Sequence, residues 1–157
     1  MMNPLLIIEK YYSPNTRLYK ILIQHSLQVA RKAIEIAKKN PQEQFDLQFV
    51  EEAAILHDIG IFLTYAPDVY CFGTYPYLAH GYLGADILNK ESYPRHAKVC
   101  ERHTGTGISL KEIIEKKLPL PSRDLLPISK EEELICFADK FFSKTNLNQE
   151  KTIREAR

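Results

Sequence analysis

Apolar side chains recur at three- and four-residue spacing from residue 17 to residue 39. Leu18, Ile21, Leu22, Val29, Ala33, Ile36 and Ala37 form one stripe, the pattern of an amphipathic helix. Asn40-Pro41 ends it. Asp46 is placed to cap a second helix over 47–59, and Gly60 to stop it in a left-handed conformation. Pro67, Gly73 and Pro76 interrupt residues 61–78, so irregular chain is expected there. A third helix is expected over 79–90 and a fourth over 94–103, followed by Gly105 and Gly107. Ser109 and Glu112 make a capping box for a short helix that stops before Pro119. The stretch LPLPSRDLLP predicts a loop, and 130–144 a last clear helix built on Leu134, Ile135, Phe137, Ala138, Phe141 and Phe142. The chain after Asn146 is polar and is expected to fray or form a short helix. No segment alternates convincingly with period two. The expected fold class is all-α, with six or seven helices.

Composition adds limits to this picture. At 157 residues the chain fits one domain, 1–157, with its core over about 17–145. Lys and Arg number 21 against 20 Asp and Glu, so no single-sign field marks a nucleic-acid polymer or a membrane surface as partner. The longest apolar runs are too short to span a bilayer. Met1 to Lys10 lacks the basic leader and small-residue cleavage site of a signal peptide. Cys71, Cys100 and Cys136 are an odd, widely spaced set without C-x-x-C, which fits a reducing cytoplasm, so a cytoplasmic location is expected.

The apolar faces carry exceptions. His25 lies midway between Ile21 and Val29, His57 four residues after Ala53, His103 four after Val99 and Asp139 four after Ile135. Asp58 adjoins His57 and follows Ala54 by four; His80 opens a helix in which Gly84, one turn on, leaves room for another backbone or a ligand. An unpartnered buried polar group costs roughly 2–7 kcal/mol, and a charge more. A hydrogen-bonded core pair, a catalytic base or a metal ion can offset that cost. A single histidine on an apolar face is most often a satisfied core residue. A set of imidazoles and carboxylates converging from several helices is the donor set of a transition metal. His96, seven residues before His103, is left over beside Arg95. The chain offers neither a G-x-S-x-G nucleophile elbow nor a Walker A loop.

The ordered set His25, His57-Asp58 and Asp139, with LHDIG at 56–60, resembles the HD-domain superfamily of metal-dependent phosphohydrolases, over about residues 20–145. His80 in AHGYLGADIL and His103 in CERHTGTGIS are similar to the two additional histidines of its dinuclear branch. The resemblance implies a helical HD bundle. It implies two divalent transition-metal ions, iron or manganese first, with nickel, cobalt or zinc as alternatives. His25, His57, Asp58 and Asp139 would hold one ion, and His80 and His103 would complete the other site, with Asp58 bridging. Asp58 with a metal-bound hydroxide would then be the catalytic unit, hydrolysing a phosphomonoester, phosphodiester or phosphoanhydride. The substrate would be a small phosphorylated metabolite, nucleotide-like in character.

Some relatives place a Lys or Arg directly after His-Asp-x-Gly. Here Ile61 stands at that position, so any cation for the phosphate must come from elsewhere. Lys140 and Arg123 are the candidate substrate contacts. The aromatic run from Phe62 to Tyr82 includes Tyr70 and Phe72, in a loop whose middle, Ala66 to Gly73, is expected to act as a lid that sets specificity. An HD-type di-iron oxygenase is the alternative function, and a ligand-binding module with a decayed site a third.

Overall fold

Asn3 begins the first helix. Its side chain accepts hydrogen bonds from the backbone N–H groups of Leu5 and Leu6, and Pro4 occupies the first helical position, where its missing N–H costs nothing. This helix, α1 (Pro4–Glu9), buries Ile7 and Ile8 and delivers Tyr12, whose hydroxyl donates to Ile59 O at 2.6 Å and accepts from Phe62 N at 3.2 Å. The computed structural model describes residues 2–156, so the first and last positions of the expected 1–157 domain lie outside the described residues.

Helix α2 (Arg17–Lys39) is the expected long helix, capped by the Thr16 hydroxyl. It packs against α3 (Leu47–Leu56) and α7 (Lys130–Asp139), and α3 and α7 also meet. Leu22, Val29, Ala33, Val50, Ala54, Leu56, Ile135 and Ala138 fill the space between them. Helices α4 (His80–Lys90) and α5 (Pro94–Glu101) lie side by side, and α5 closes on α3. The short α6 (Leu110–Glu115), capped by Ser109, sits on a satellite core of Ile108, Ile113 and Leu125, and α8 (Ile153–Ala156) ends the described chain. No described helix is long and apolar enough to cross a membrane.

The chain is mainly helical rather than wholly so. Residues 61–79 hold a small three-stranded sheet in the order β2-β1-β3: β1 (Thr64–Ala66) runs antiparallel to β2 (Cys71–Phe72) and parallel to β3 (Tyr75–Pro76). Strands of two and three residues are too short to show alternation, so periodicity could not announce them. The sheet also ties down the expected lid, because Tyr65 pairs with Phe72 and Gly73 N donates to Thr64 O at 2.8 Å. The proline stretch is partly ordered by main-chain bonds too. Ile108 and Leu125 exchange hydrogen bonds of 2.9 and 2.8 Å, and Asp124 Oδ1 accepts from Leu110 N at 2.7 Å.

Three helices are shorter than expected. The second ends at Leu56 instead of 59, the fourth at Glu101 instead of 103, and the last at Asp139 instead of 144. Gly60 is not a left-handed stop; its φ is −83°. It is glycine because of close packing. A Cβ there would run into His80 O and lie 2.5 Å from Gly84 N, while a Cβ on Gly84 would lie 2.5 Å from Cys100 Sγ. The turn after His57-Asp58 therefore rests backbone to backbone on the first turns of α4, which brings Asp58 to His80.

Candidate metal centre

Three of the histidines use one local device. His57 Nδ1 lies 2.6 Å from Ala54 O, His80 Nδ1 2.6 Å from Tyr77 O, and His103 Nδ1 2.6 Å from Cys100 O. Each ring thus donates to the carbonyl three residues earlier, at a helix end or turn where the i+4 N–H of a continuing α-helix does not take it. That bond puts the proton of the neutral imidazole on Nδ1 and leaves Nε2 as a lone pair aimed inward, the arrangement of a metal-ligating histidine. It also explains why His57 and His103 stand just beyond α3 and α5 rather than inside them. His25 differs: it projects from the middle of α2, and its Nδ1 has no partner among the described residues.

The lone pairs converge on two carboxylates. His25 Nε2 and His57 Nε2 lie 2.9 and 3.2 Å from Asp139 Oδ1, and 3.3 and 3.0 Å from Asp58 Oδ2. His80 Nε2 and His103 Nε2 each lie 3.2 Å from Asp58 Oδ1, and 3.0 Å from each other. The donors fall into two groups, His25, His57, Asp58 and Asp139 on one side and Asp58, His80 and His103 on the other, with Asp58 common to both. The four histidines and Asp58 are buried, and the Asp139 side chain is 22% exposed, so the centre opens to solvent beside Asp139.

Chemistry, more than proximity, points to cations. Neither oxygen of Asp58 accepts a well-directed hydrogen bond from the described residues, although both are fully buried. With their Nδ1 protons committed to carbonyls, His80 and His103 hold two bare nitrogens 3.0 Å apart, a repulsive contact unless a cation sits between them. A proton or a metal ion can serve, and a hard or borderline divalent ion suits the mixed N/O donors. Burial opposes charge on His57, but Asp58 and Asp139 outweigh it and push its pKa up to about 10. Burial holds His103 below the ordinary imidazole value against the opposing pull of Asp58. The buried His/Asp cluster fits divalent metal ions.

The other expected contacts lie elsewhere. Lys140 caps α7 and folds back, with Nζ donating to Cys136 O at 3.0 Å, and it faces a different cavity with Thr106, Pro127 and Phe137. Arg123 is held on the surface by Glu101 Oε1 at 2.6 Å. Neither lines the opening at Asp139. His96 pairs with Glu52 Oε1 at 3.0 Å between Phe49 and Tyr93, outside both donor groups. Tyr70 stacks under Arg17 and Phe72 is largely exposed; the same segment reaches the opening through Ala66, Asp68 and Val69 instead.

A basic residue missed by the helix pattern does reach the centre. Lys144 Nζ lies 2.8 Å from Asp58 Oδ2. The three cysteines are buried and unbridged.

The family described as HD domain matches the chain over residues 22–143, a span that contains all six converging residues. An uncharacterised protein of Methanocaldococcus jannaschii is 35% identical over 127 residues, covering 79% of this chain and 68% of that one. Two proteins named tRNA (cytidine(56)-2'-O)-methyltransferase are also similar. The one from Thermoplasma volcanium is 33% identical over 123 residues and the one from Picrophilus torridus 34% over 124; each match covers 78% of this chain but only 32% of the methyltransferase. The chain thus spans about a third of the length of those two relatives. No solved structure matches it.

Proposed function

The chain belongs to the HD-domain family, and on that premise we propose that it is a metal-dependent phosphohydrolase with a dinuclear centre. The observation that carries the proposal is the sharing of Asp58: one buried carboxylate turns one oxygen to His25 and His57 and the other to His80 and His103. A carboxylate so divided suits two ions better than one. Bound there, divalent ions would lower the pKa of a water toward about 7 and neutralise charge developing on phosphoryl oxygens.

The chain's own residues supply the rest. His25, His57 and Asp139 fix one side of the donor cage, and His80 and His103 the other. The backbone carbonyls behind His57, His80 and His103 hold those rings in place. Leu56, Ile59 and Ile61, next to His57-Asp58 in the chain, are fully buried and add no water-accessible face there. Asp139, alone part-exposed among the six, marks the side from which substrate enters. A nucleotide-like substrate is supported by the similar segment that covers about a third of two proteins named as tRNA methyltransferases. The mixed N/O donors suit iron, manganese, cobalt, nickel or zinc; the family resemblance puts iron or manganese first among these.

Anaerobic purification with metal analysis, followed by a panel of phosphomonoesters, diesters and anhydrides, tests the reading. Two ions per chain and oxygen-18 from water in the released phosphate are expected. Incorporation of oxygen from O₂ into an oxidised carbon product would replace it with the oxygenase reading.

A further inference from the structure

Lys144 is the nearest ammonium to the centre and belongs to neither donor group. Only 12% of its side chain is exposed. It arrives there on a strap. After α7 the chain doubles back over α2, where Lys32 Nζ pairs with Glu150 Oε2 at 2.9 Å, Gln28 donates to Leu147 O, and Lys151 N donates to Phe141 O at 2.7 Å. Lys144 is thereby held with Nζ 5.5 Å from the centroid of the Tyr77 ring, on a cavity of about 380 Å³ that also meets His25, Val69, Asp139 and Phe142.

Resting on the phosphohydrolase reading, we infer that Lys144 grips the phosphoryl group of a small phosphomonoester bound in this cavity. A metal ion held by Asp58 would compete with Lys144 for the carboxylate, and the displaced, largely buried ammonium, which lines the cavity, would need an anion. Such a charge is costly unless paired. Ile61 cannot provide the phosphate contact, and Lys140 and Arg123 are turned away. Divalent ions set against Asp58 and Asp139 leave the centre net positive, and Lys144 adds to that; Asp68 and Lys151, which also line the cavity, offset each other. A phosphomonoester is a dianion near neutral pH and answers this charge better than a singly charged diester. The volume lies near the lower end of ligand pockets, roughly 300–1,000 Å³, and suits a small molecule rather than a polymer.

The test uses the metal-loaded full chain, wild type against Lys144→Met and Lys144→Arg, with three readouts: metal content, affinity for inorganic phosphate by calorimetry, and kinetics on p-nitrophenyl phosphate and its bis ester. The Met variant is expected to keep its metal, to bind phosphate at least tenfold more weakly and to raise KM for the monoester, with most of the loss restored by Arg. A Met variant that binds phosphate as wild type does overturns the inference alone. So does loss of metal from both variants, because Lys144 would then be supporting the cage. Metal-loaded wild type that neither binds phosphate nor cleaves any ester overturns the hydrolase reading and this inference with it.

Discussion

Asp58 is buried completely, and neither oxygen accepts a well-directed hydrogen bond from the described residues, although the Lys144 ammonium lies 2.8 Å from Oδ2. In a protein interior that condition is strongly unfavourable unless a cation compensates. The outer partners of metal ligands already cost ~10–100-fold in metal affinity or activity when replaced. Replacing the carboxylate common to both donor groups should exceed that. Asp58→Asn keeps the shape but removes the charge, and is expected to leave less than one metal per chain by elemental analysis and to lower hydrolysis by more than about 100-fold. Full metal content in this variant would contradict the shared-ligand assignment. His103→Ala should reduce metal content from two ions toward one, whereas His96→Ala should not, because His96 is spent on Glu52. The opposite pattern would mean that the wrong histidine of that pair has been assigned. His25, His57, Asp58, His103 and Asp139 were noticeable in sequence as polar residues on or beside apolar stripes and His80 as the opening of a helix, while their grouping as one set rested on the family resemblance; the structure brings the six close together. Lys144 was not noticeable. In a helix running to 144 it would point about 140° away from Asp139. Only the end of α7 at Asp139, and the strap beyond it, turn it inward.

The elements were readable where side chains mark their starts. Asp46 Oδ1 accepts from Phe49 N at 3.2 Å, and Ser109 caps α6. The ends were harder, because imidazoles took the carbonyls that longer helices would have used, and α1, started by Asn3-Pro4, is too short for a periodic stripe to mark it. Gly60 illustrates a role that pattern alone cannot give. Its place after a helix suggests a stop, while its actual task is close approach to α4. Gly84 is the partner in that approach, and its substitution sets two effects against each other. Alanine gains ~0.8–1.0 kcal/mol of helix propensity over glycine. The new Cβ would meet Cys100 Sγ at 2.5 Å and Gly60 N at 3.0 Å, and overpacking of this kind costs typically ~1–3 kcal/mol. The second effect should win. Gly84→Ala is expected to be less stable in chemical denaturation and, by pushing the Asp58 turn away from α4, to lose one metal before the other. An unchanged denaturation midpoint with two metals retained would show that Cys100 swings aside and that the contact does not set the spacing of the site.

The six converging residues run from position 25 to position 139 and come from α2, α4, α7 and the ends of α3 and α5, so a bound metal pair would fasten most of the molecule at its centre. The apolar packing among Leu22, Val29, Leu56 and Ile135 surrounds that centre without depending on it. Metal removal should therefore loosen the protein rather than unfold it. A ligand that binds only the folded state at a free concentration 100 times its Kd stabilises by about 2.7 kcal/mol. For domains of about 150–250 residues each kcal/mol moves Tm by roughly 2–4 °C. Chelation followed by thermal denaturation should then lower Tm by about 5–11 °C, while the far-ultraviolet helical signal at room temperature stays close to that of the loaded protein. Restoring the metal should restore Tm, and in Asp58→Asn neither step should move it. A Tm that ignores chelation in the wild type would mean that the buried carboxylates and imidazoles are balanced by protons and by Lys144 alone, with no resident ion. Collapse of the helical signal on chelation would mean that the apolar packing is too weak to hold the helices without the metals.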